Sequence, residues 1–544
     1  MPPNTFSQTK IKESIVPKKL STLLAIALVT LYPNTTTAGP HLYIPPNGGT
    51  IDASSPGPAC AQMRDAIPPF FVSTPGISED CLTLYIARPT RTKGGDKLPV
   101  VVWVSGGGLI KKWSEDAHSD PEKLLQLSTT LNKPKEGSLN VGMRDQRVAF
   151  EWIKERIEAF GGNKERITAF GLSSGRTTTS IQLMVGPPGT ALNMSRWEAA
   201  EAHMRAVANM VHCSGEGDTE TLECLRDVPM ERLLESVVGY AQKNFPPLGL
   251  FTFISSGAKF AKGIPMVFSW NQDDGATNAG PPYLIQTEAD MIAPIARFTT
   301  FLKPADCTAL FTHYPASDFT QDTANYEASK APSDPVVSVH FFRLSRILRD
   351  LLFTCSSVDF GMEMTRQSRM AKGVDREWNS VRLYTLNSTM LTPLLKAGGM
   401  PHASVIHGSD TNYIFNGVLL EGNISSADQQ LSREFATYFL NFAYIGDPNE
   451  ERVEEDDAWP PAFSTDMDLV VDDEPRELNI RVVRGMYGTG MVGLRKYPPE
   501  MPLMDGIEEQ VNSEHVVFGA TGLRDGEMRK GRLEGEKFVS EMSI

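Results

Sequence analysis

The stretch KLPVVVWVSGGG, Lys97 to Gly108, constrains the fold of this chain more than any other. A continuous apolar run that stops at glycines reads as a buried strand. The next strong signal is a helix in NVGMRDQRVAFEWIKERIEAFGG. Ala149, Ile153, Ile157 and Phe160 recur at helical spacing, Val148 and Trp152 lie beside them, and Gly161 and Gly162 supply the stop. RITAF is the next strand and IPMVFSW another. Later helices are expected in HFFRLSRILRDLLF and in DQQLSREFATYFLNFAY, the second ending at Gly446. Strands alternating with helices argue for an α/β layer architecture with a largely parallel sheet.

With 544 residues the chain fits one large α/β domain or two, and its 41% hydrophobic content suffices for a sizeable core. A formal net charge of -14 argues against nucleic-acid binding, which rewards clustered Lys and Arg. At the N-terminus, Lys18 and Lys19 precede an apolar run from Leu20 to Tyr32, and Thr36 and Ala38 are placed for signal-peptidase cleavage. The run is short for a membrane span and fits a secretory signal over residues 1–38. Six cysteines suit disulfides in an oxidising compartment, in a pairing the count leaves open. Asn193, Asn387 and Asn423 each open an Asn-x-Ser/Thr sequon, the pattern of a secreted glycoprotein. The last forty or so residues are charged and weakly periodic.

A Gly-x-Ser-x-Gly turn lies in ITAFGLSSGRTTTS, with Ser173 at its centre. The pattern alone is weak: roughly 0.2 to 0.3 matches arise by chance in a chain of this length. Its context is stronger. Ile167 to Phe170 supply a strand before the serine, and the residues from Ser174 supply a helix after it, as a nucleophile elbow requires. A serine hydroxyl needs a base, and on such sheets the chain order is Ser, then Asp or Glu, then His. Asp273 and Asp274 follow an apolar strand, and His402 and His407 lie in MPHASVIHGSDTNYIFNG. The glycines Gly106 to Gly108 let backbone N–H groups approach a developing oxyanion closely. Without an H-E-x-x-H or paired C-x-x-C pattern, the two histidines do not point to a metal.

These stretches, with SEDCLTLYIARP, NQDDGA and NFAYIGDPN, resemble the type-B carboxylesterases, and the copy is most similar to the fungal secreted members. The matches run in the family's order from about Pro58 to about Trp459. The resemblance implies an α/β-hydrolase fold, with a central, mostly parallel sheet flanked by helices, over residues 39–503. Residues 504–544 form a charged tail. It implies carboxylic ester hydrolysis through an acyl-enzyme, with Ser173 as nucleophile, His407 as base and Asp274, where the family usually has Glu, as its orienting acid. His402 falls on no family site. Gly107, Gly108 and Ser174 match the oxyanion donors. Cys60 with Cys81, and Cys213 with Cys224, resemble two common disulfides, while Cys307 and Cys355 match neither. The implied substrate is a small-molecule or lipid ester, with no cofactor, no metal, no nucleic acid and no obligate protein partner.

The chain also departs from the family. Between Gly108 and Asn140 the usual apolar strand ending in Asn-Tyr-Arg is absent, and between Ile181 and Cys213 the strand ending in Glu-Ser-Gly is absent. One or more strands are therefore expected to be missing, and a missing central strand leaves backbone groups to be satisfied elsewhere. Leu172 replaces the glutamate usual before the serine, and Arg176 stands where a small residue is typical. The alternative reading is an inactive or mis-spliced homologue that serves as a binding module or has no activity.

Overall fold

In the computed structural model, the described residues are 12–14, 25–29, 58–62, 64, 74, 76–78, 81, 84–89, 92–107, 141–182, 205–213, 215, 218–244, 262–298, 304–371, 380–415, 424–449, 458–463, 477–484 and 489–495. In chain order the strands are β1 (Lys12–Ser14), β2 (Ala25–Val29), β3 (Leu84–Pro89), β4 (Leu98–Val104), β5 (Gly162–Gly171), β6 (Met266–Asn271), β7 (Val381–Leu386), β8 (Glu477–Val483) and β9 (Gly490–Arg495). Helices longer than two turns include α1 (Val141–Arg156), α2 (Ser174–Gln182), α3 (Met230–Asn244), α4 (Val339–Arg349), α5 (Cys355–Arg369) and α6 (Ser426–Ile445). Two compact units emerge: residues 1–251 with 411–448, and residues 252–410 with 449–544.

In the first unit the strand order is β1-β3-β2-β4-β5. All seven residues of β4 are buried, and the two sides of the strand meet different partners. Val100, Val102 and Val104 pack on Ala149 and Ile153 of α1 and on Ile157 just beyond it. Trp103 meets Phe170 and Phe415 at ring-centroid distances of 4.6 and 5.0 Å, and Phe170 meets Phe439 of α6 at 5.0 Å. Cover on both faces is why β4 reads as an unbroken apolar run rather than an alternating one. Each fully buried valine contributes about 1.5 to 3 kcal/mol relative to exposure. The predicted helix runs to Arg156, tightens through Ile157–Phe160, and ends at Gly161 with φ 86. Helix α6 is capped by Ser425, whose hydroxyl accepts from the Asp428 N–H, and it stops at the expected Gly446, with φ 74.

The expected gap beside β4 is filled from an unexpected place. Val100–Val104 pair in parallel with Ala25–Val29, and β2 in turn pairs antiparallel with β3. On its other edge β4 pairs in parallel with β5, Val100 opposite Ile167 and Val104 opposite Gly171. Both edges of β4 are thus satisfied, and the strand that does so lies inside the apolar run expected to be a signal segment. Cleavage after Ala38 would remove β1 and β2 together. The segment between Gly108 and Asn140 lies outside the described residues, as do the tail 504–544, Asn193 and Asn423.

The second unit holds the sheet β6-β7-β8-β9, parallel except for the β8–β9 pair. Every residue of β7 is buried. Trp459 locks against it: its indole N–H donates to the Leu383 carbonyl at 3.2 Å, and its own carbonyl accepts from Arg382 Nε at 2.9 Å. Phe360 of α5 packs edge-on against Phe268 of β6 at 5.5 Å. The predicted helix over His340–Phe353 is longer than expected: α4 passes through a wide π turn, Asp350–Thr354, directly into α5. Among the described residues no helix is long and apolar enough to cross a membrane.

Candidate active site

The serine turn belongs to the first unit. Strand β5 ends at Gly171, Ser173 takes φ 56, and α2 starts at Ser174. A positive φ is uncommon for a residue with a Cβ and marks local strain held by its surroundings. Those surroundings are visible at Gly175, where a Cβ would sit 2.1 Å from the Val104 carbonyl oxygen and 2.7 Å from that of Ser105. The first turn of α2 is therefore pressed onto the end of β4, and only glycine permits the approach. The Gly175 N–H donates to the Leu172 carbonyl at 2.8 Å, closing the turn. The threonine run after it is a poor helix sequence; Thr178 and Thr179 both donate their hydroxyls back to the Gly175 carbonyl, at 3.1 and 2.8 Å.

Ser174 is buried at the start of α2, where helix N–H groups lack intrahelical acceptors and favour negative charge. Gly107 follows β4 with φ 113 and is also buried. Gly108 lies outside the described residues. Leu172 and Arg176, the two departures flanking the turn, are each half-buried, so the arginine does not break the elbow.

The acid and the histidine belong to the second unit. Strand β6 ends at Asn271, and its N–H donates to Asp274 Oδ2 at 2.6 Å. Asp274 Oδ1 lies 2.9 Å from His407 Nδ1. An ionised carboxylate only accepts, so Nδ1 carries the proton in this pair and Nε2 is the basic nitrogen. Among the described residues Nε2 has no hydrogen-bond partner. Asp274 is almost fully buried while the His407 side chain stays 17% exposed, which leaves the imidazole the more accessible of the two.

The structure also separates the two adjacent aspartates, which the chain order alone left open. Asp273 exchanges backbone bonds with the histidine loop rather than touching the imidazole. Its N–H donates to the Val405 carbonyl at 3.0 Å, and its Oδ2 accepts from the Val405 N–H at 3.3 Å. Its other oxygen accepts from Arg346 at 3.3 Å. His402 packs edge-on against Phe341 at 5.1 Å, and burial lowers its pKa. It is a partly buried packing histidine.

A third carboxylate, quoted above in HGSD without a role, sits behind the pair. Asp410 is fully enclosed, accepting from the Tyr384 hydroxyl at 2.9 Å, from Ser269 at 3.3 Å and from the Asn271 side-chain amide at 3.4 Å. Burial, together with the Asp274 charge, pushes its carboxyl above the ordinary range. Burial and the neighbouring Asp410 likewise push the Tyr384 phenol well up. The sequence signal for this residue was only its position three after His407.

Disulfides join Cys60 to Cys81 and Cys213 to Cys224, while Cys307 and Cys355 are buried free thiols. Asn387, the one described sequon residue, is half-buried, and its side-chain oxygen accepts from Thr385 at 3.3 Å. Among the described residues no group of three or more His, Cys, Asp or Glu side chains is arranged to hold a metal.

Comparison with known proteins supplies the remaining context. The sequence model of the carboxylesterase family matches residues 43–479. An inactive carboxylesterase-like protein, VdtD, of Byssochlamys spectabilis is 28% identical over 79% of this chain and 81% of its own length. A secreted lipase of Arthroderma benhamiae is 26% identical over 69% of this chain and 70% of its own. A secreted triacylglycerol lipase of Gibberella zeae is 26% identical over 74% and 75%.

Proposed function

The chain belongs to the carboxylesterase family, whose members have the α/β-hydrolase fold, and from that premise we propose that it is a secreted carboxylic ester hydrolase working through an acyl-enzyme on Ser173. His407 Nε2 takes the proton from Ser173 Oγ as the hydroxyl attacks the ester carbonyl. Asp274 holds the Nδ1–H tautomer and stabilises the imidazolium that forms. The N–H groups of Gly107, Gly108 and Ser174 receive the oxyanion. The alcohol leaves with the proton from His407, and water then releases the acid by the same route.

The observation that carries this reading is the 2.9 Å contact of His407 Nδ1 with Asp274, which leaves Nε2 as an unpartnered base among the described residues. The strained serine at φ 56 supports it independently. Export is part of the reading, supported by the relatives named as secreted and by Lys18 and Lys19 ahead of the apolar run. Glycosylation at Asn193, Asn387 and Asn423 belongs with it. The substrate is a small-molecule or lipid ester.

A second reading, an inactive family member, is favoured by one finding: a relative at 28% identity bears the word inactive in its name. Hydrolysis of a short-chain chromogenic ester by wild type and Ser173→Ala decides between them. The proposed reading expects a loss of at least about 1,000-fold in kcat. Equal, appreciable rates in the two proteins would remove Ser173 as nucleophile, and rates of both at the uncatalysed background would leave the second reading.

A further inference from the structure

The long helical rod of the second unit, α4 through the π turn to α5, does more than fill the core. It grips the loop that carries Asp274 at three points. Arg349 Nη1 donates to the Gln272 carbonyl at 3.5 Å, and Arg346 Nη2 to Asp273 at 3.3 Å. At Gly275 the backbones themselves meet: a Cβ there would lie 2.0 Å from the Ser345 carbonyl oxygen and 2.6 Å from the Arg349 nitrogen. Asp273 then ties this loop to Val405, two residues before the histidine.

At this level of the rod the helix widens. The π turn Asp350–Thr354 is anchored by Asp350, which is fully buried and accepts from Arg349 Nε at 2.6 Å and from the Tyr314 hydroxyl at 2.9 Å. π turns inside α-helices are rare and are frequent at functional sites. The side chain aimed here is Phe353. Its ring is buried, and its centroid lies 4.7 Å from that of His407 with 32° between the planes.

Resting on the reading of His407 as the general base, we propose that Phe353, delivered by the π turn, is a positioning residue that holds the His407 imidazole against Asp274. An imidazole fixed only through Nδ1 can still swing about that bond and about χ2. A phenyl ring packed on it removes that freedom, keeping Nε2 in one direction. Leucine at 353 keeps apolar volume but has no flat face to hold the ring.

The test uses the full chain with Phe353→Leu and Phe353→Ala. The readouts are ester turnover, thermal melting, and the low-field proton resonance of the His407 Nδ1–H, assigned by its loss in His407→Gln. Phe353→Leu should lower kcat by about 10- to 100-fold with KM within about twofold of wild type. The low-field signal should broaden by exchange, well below the melting temperature. A signal as sharp as in wild type overturns the proposal, whether or not the rate falls, and so, where wild type turns ester over, does an unchanged rate. If both variants melt early, the resonance recorded below their transitions still decides. If wild type hydrolyses no ester but the variant broadens the resonance, the esterase reading fails and the positioning role stands.

Discussion

Replacing Gly175 with alanine should cost both activity and stability, because the added methyl has nowhere to go. Its Cβ would meet the Val104 carbonyl oxygen at 2.1 Å, where real contacts stay above 3.0 Å, so the first turn of α2 must withdraw from β4 by about 1 Å. Both obstructing atoms, the Val104 and Ser105 carbonyl oxygens, are backbone of a buried strand end and cannot rotate aside. Overpacking of this kind costs about 1 to 3 kcal/mol, and a displacement of about 1 Å at a nucleophile costs on the order of 100-fold in rate. Gly239, inside α3, is the internal control. A Cβ there meets nothing within 4 Å, so Gly239→Ala should raise stability by up to about 1 kcal/mol through helix propensity. The assay is thermal melting with turnover of a short-chain chromogenic ester for wild type and both variants. A Gly175→Ala protein with wild-type melting and wild-type kcat would refute the elbow packing described above.

Three further outcomes are expected. His407→Ala should abolish turnover while His402→Ala leaves kcat within a few-fold and lowers the melting temperature, since His402 packs on Phe341; the reverse pattern would reassign the base. Asp410 binds its proton more tightly folded than unfolded, because burial raises its pKa, so the stability it lends is fully present below the ordinary carboxyl value of about 3.9 and is lost as pH rises through the raised folded value. Asp410→Asn should therefore gain on wild type in melting temperature as pH climbs through that window, and parallel curves would show that Asp410 does not couple. In the full chain, the amides of Ala25–Val29 should exchange with deuterium as slowly as those of Leu98–Val104; fast exchange at 25–29 would dismiss β2 as a member of the sheet.

Much of the site was legible because its signals are local. The elbow needs a strand, a serine between glycines and a helix within about fifteen residues, and short-range sterics enforce that order wherever it occurs. The helix over 141–156 and the stop at Gly446 were readable for the same reason, since periodicity and the αL preference of glycine act within a few turns. The family resemblance singled out Asp274 and His407, but chain order alone gave Asp273 equal standing.

What only the tertiary structure decided rests on contacts between residues far apart in the chain. Sequence placed the residues 20–32 as an apolar run; pairing with β3 and β4 made part of it a strand, because an unpaired buried strand edge is costly and any segment of suitable length can satisfy it. Asp273 turned to Arg346 and Val405 while its neighbour took the imidazole, an outcome fixed by how α4 packs on Gly275. Asp410 has no sequence signal beyond its place three after His407, and Phe353 has none. Their roles arise from burial and from a widened helical turn, and both depend on the packed surroundings that a linear pattern does not record.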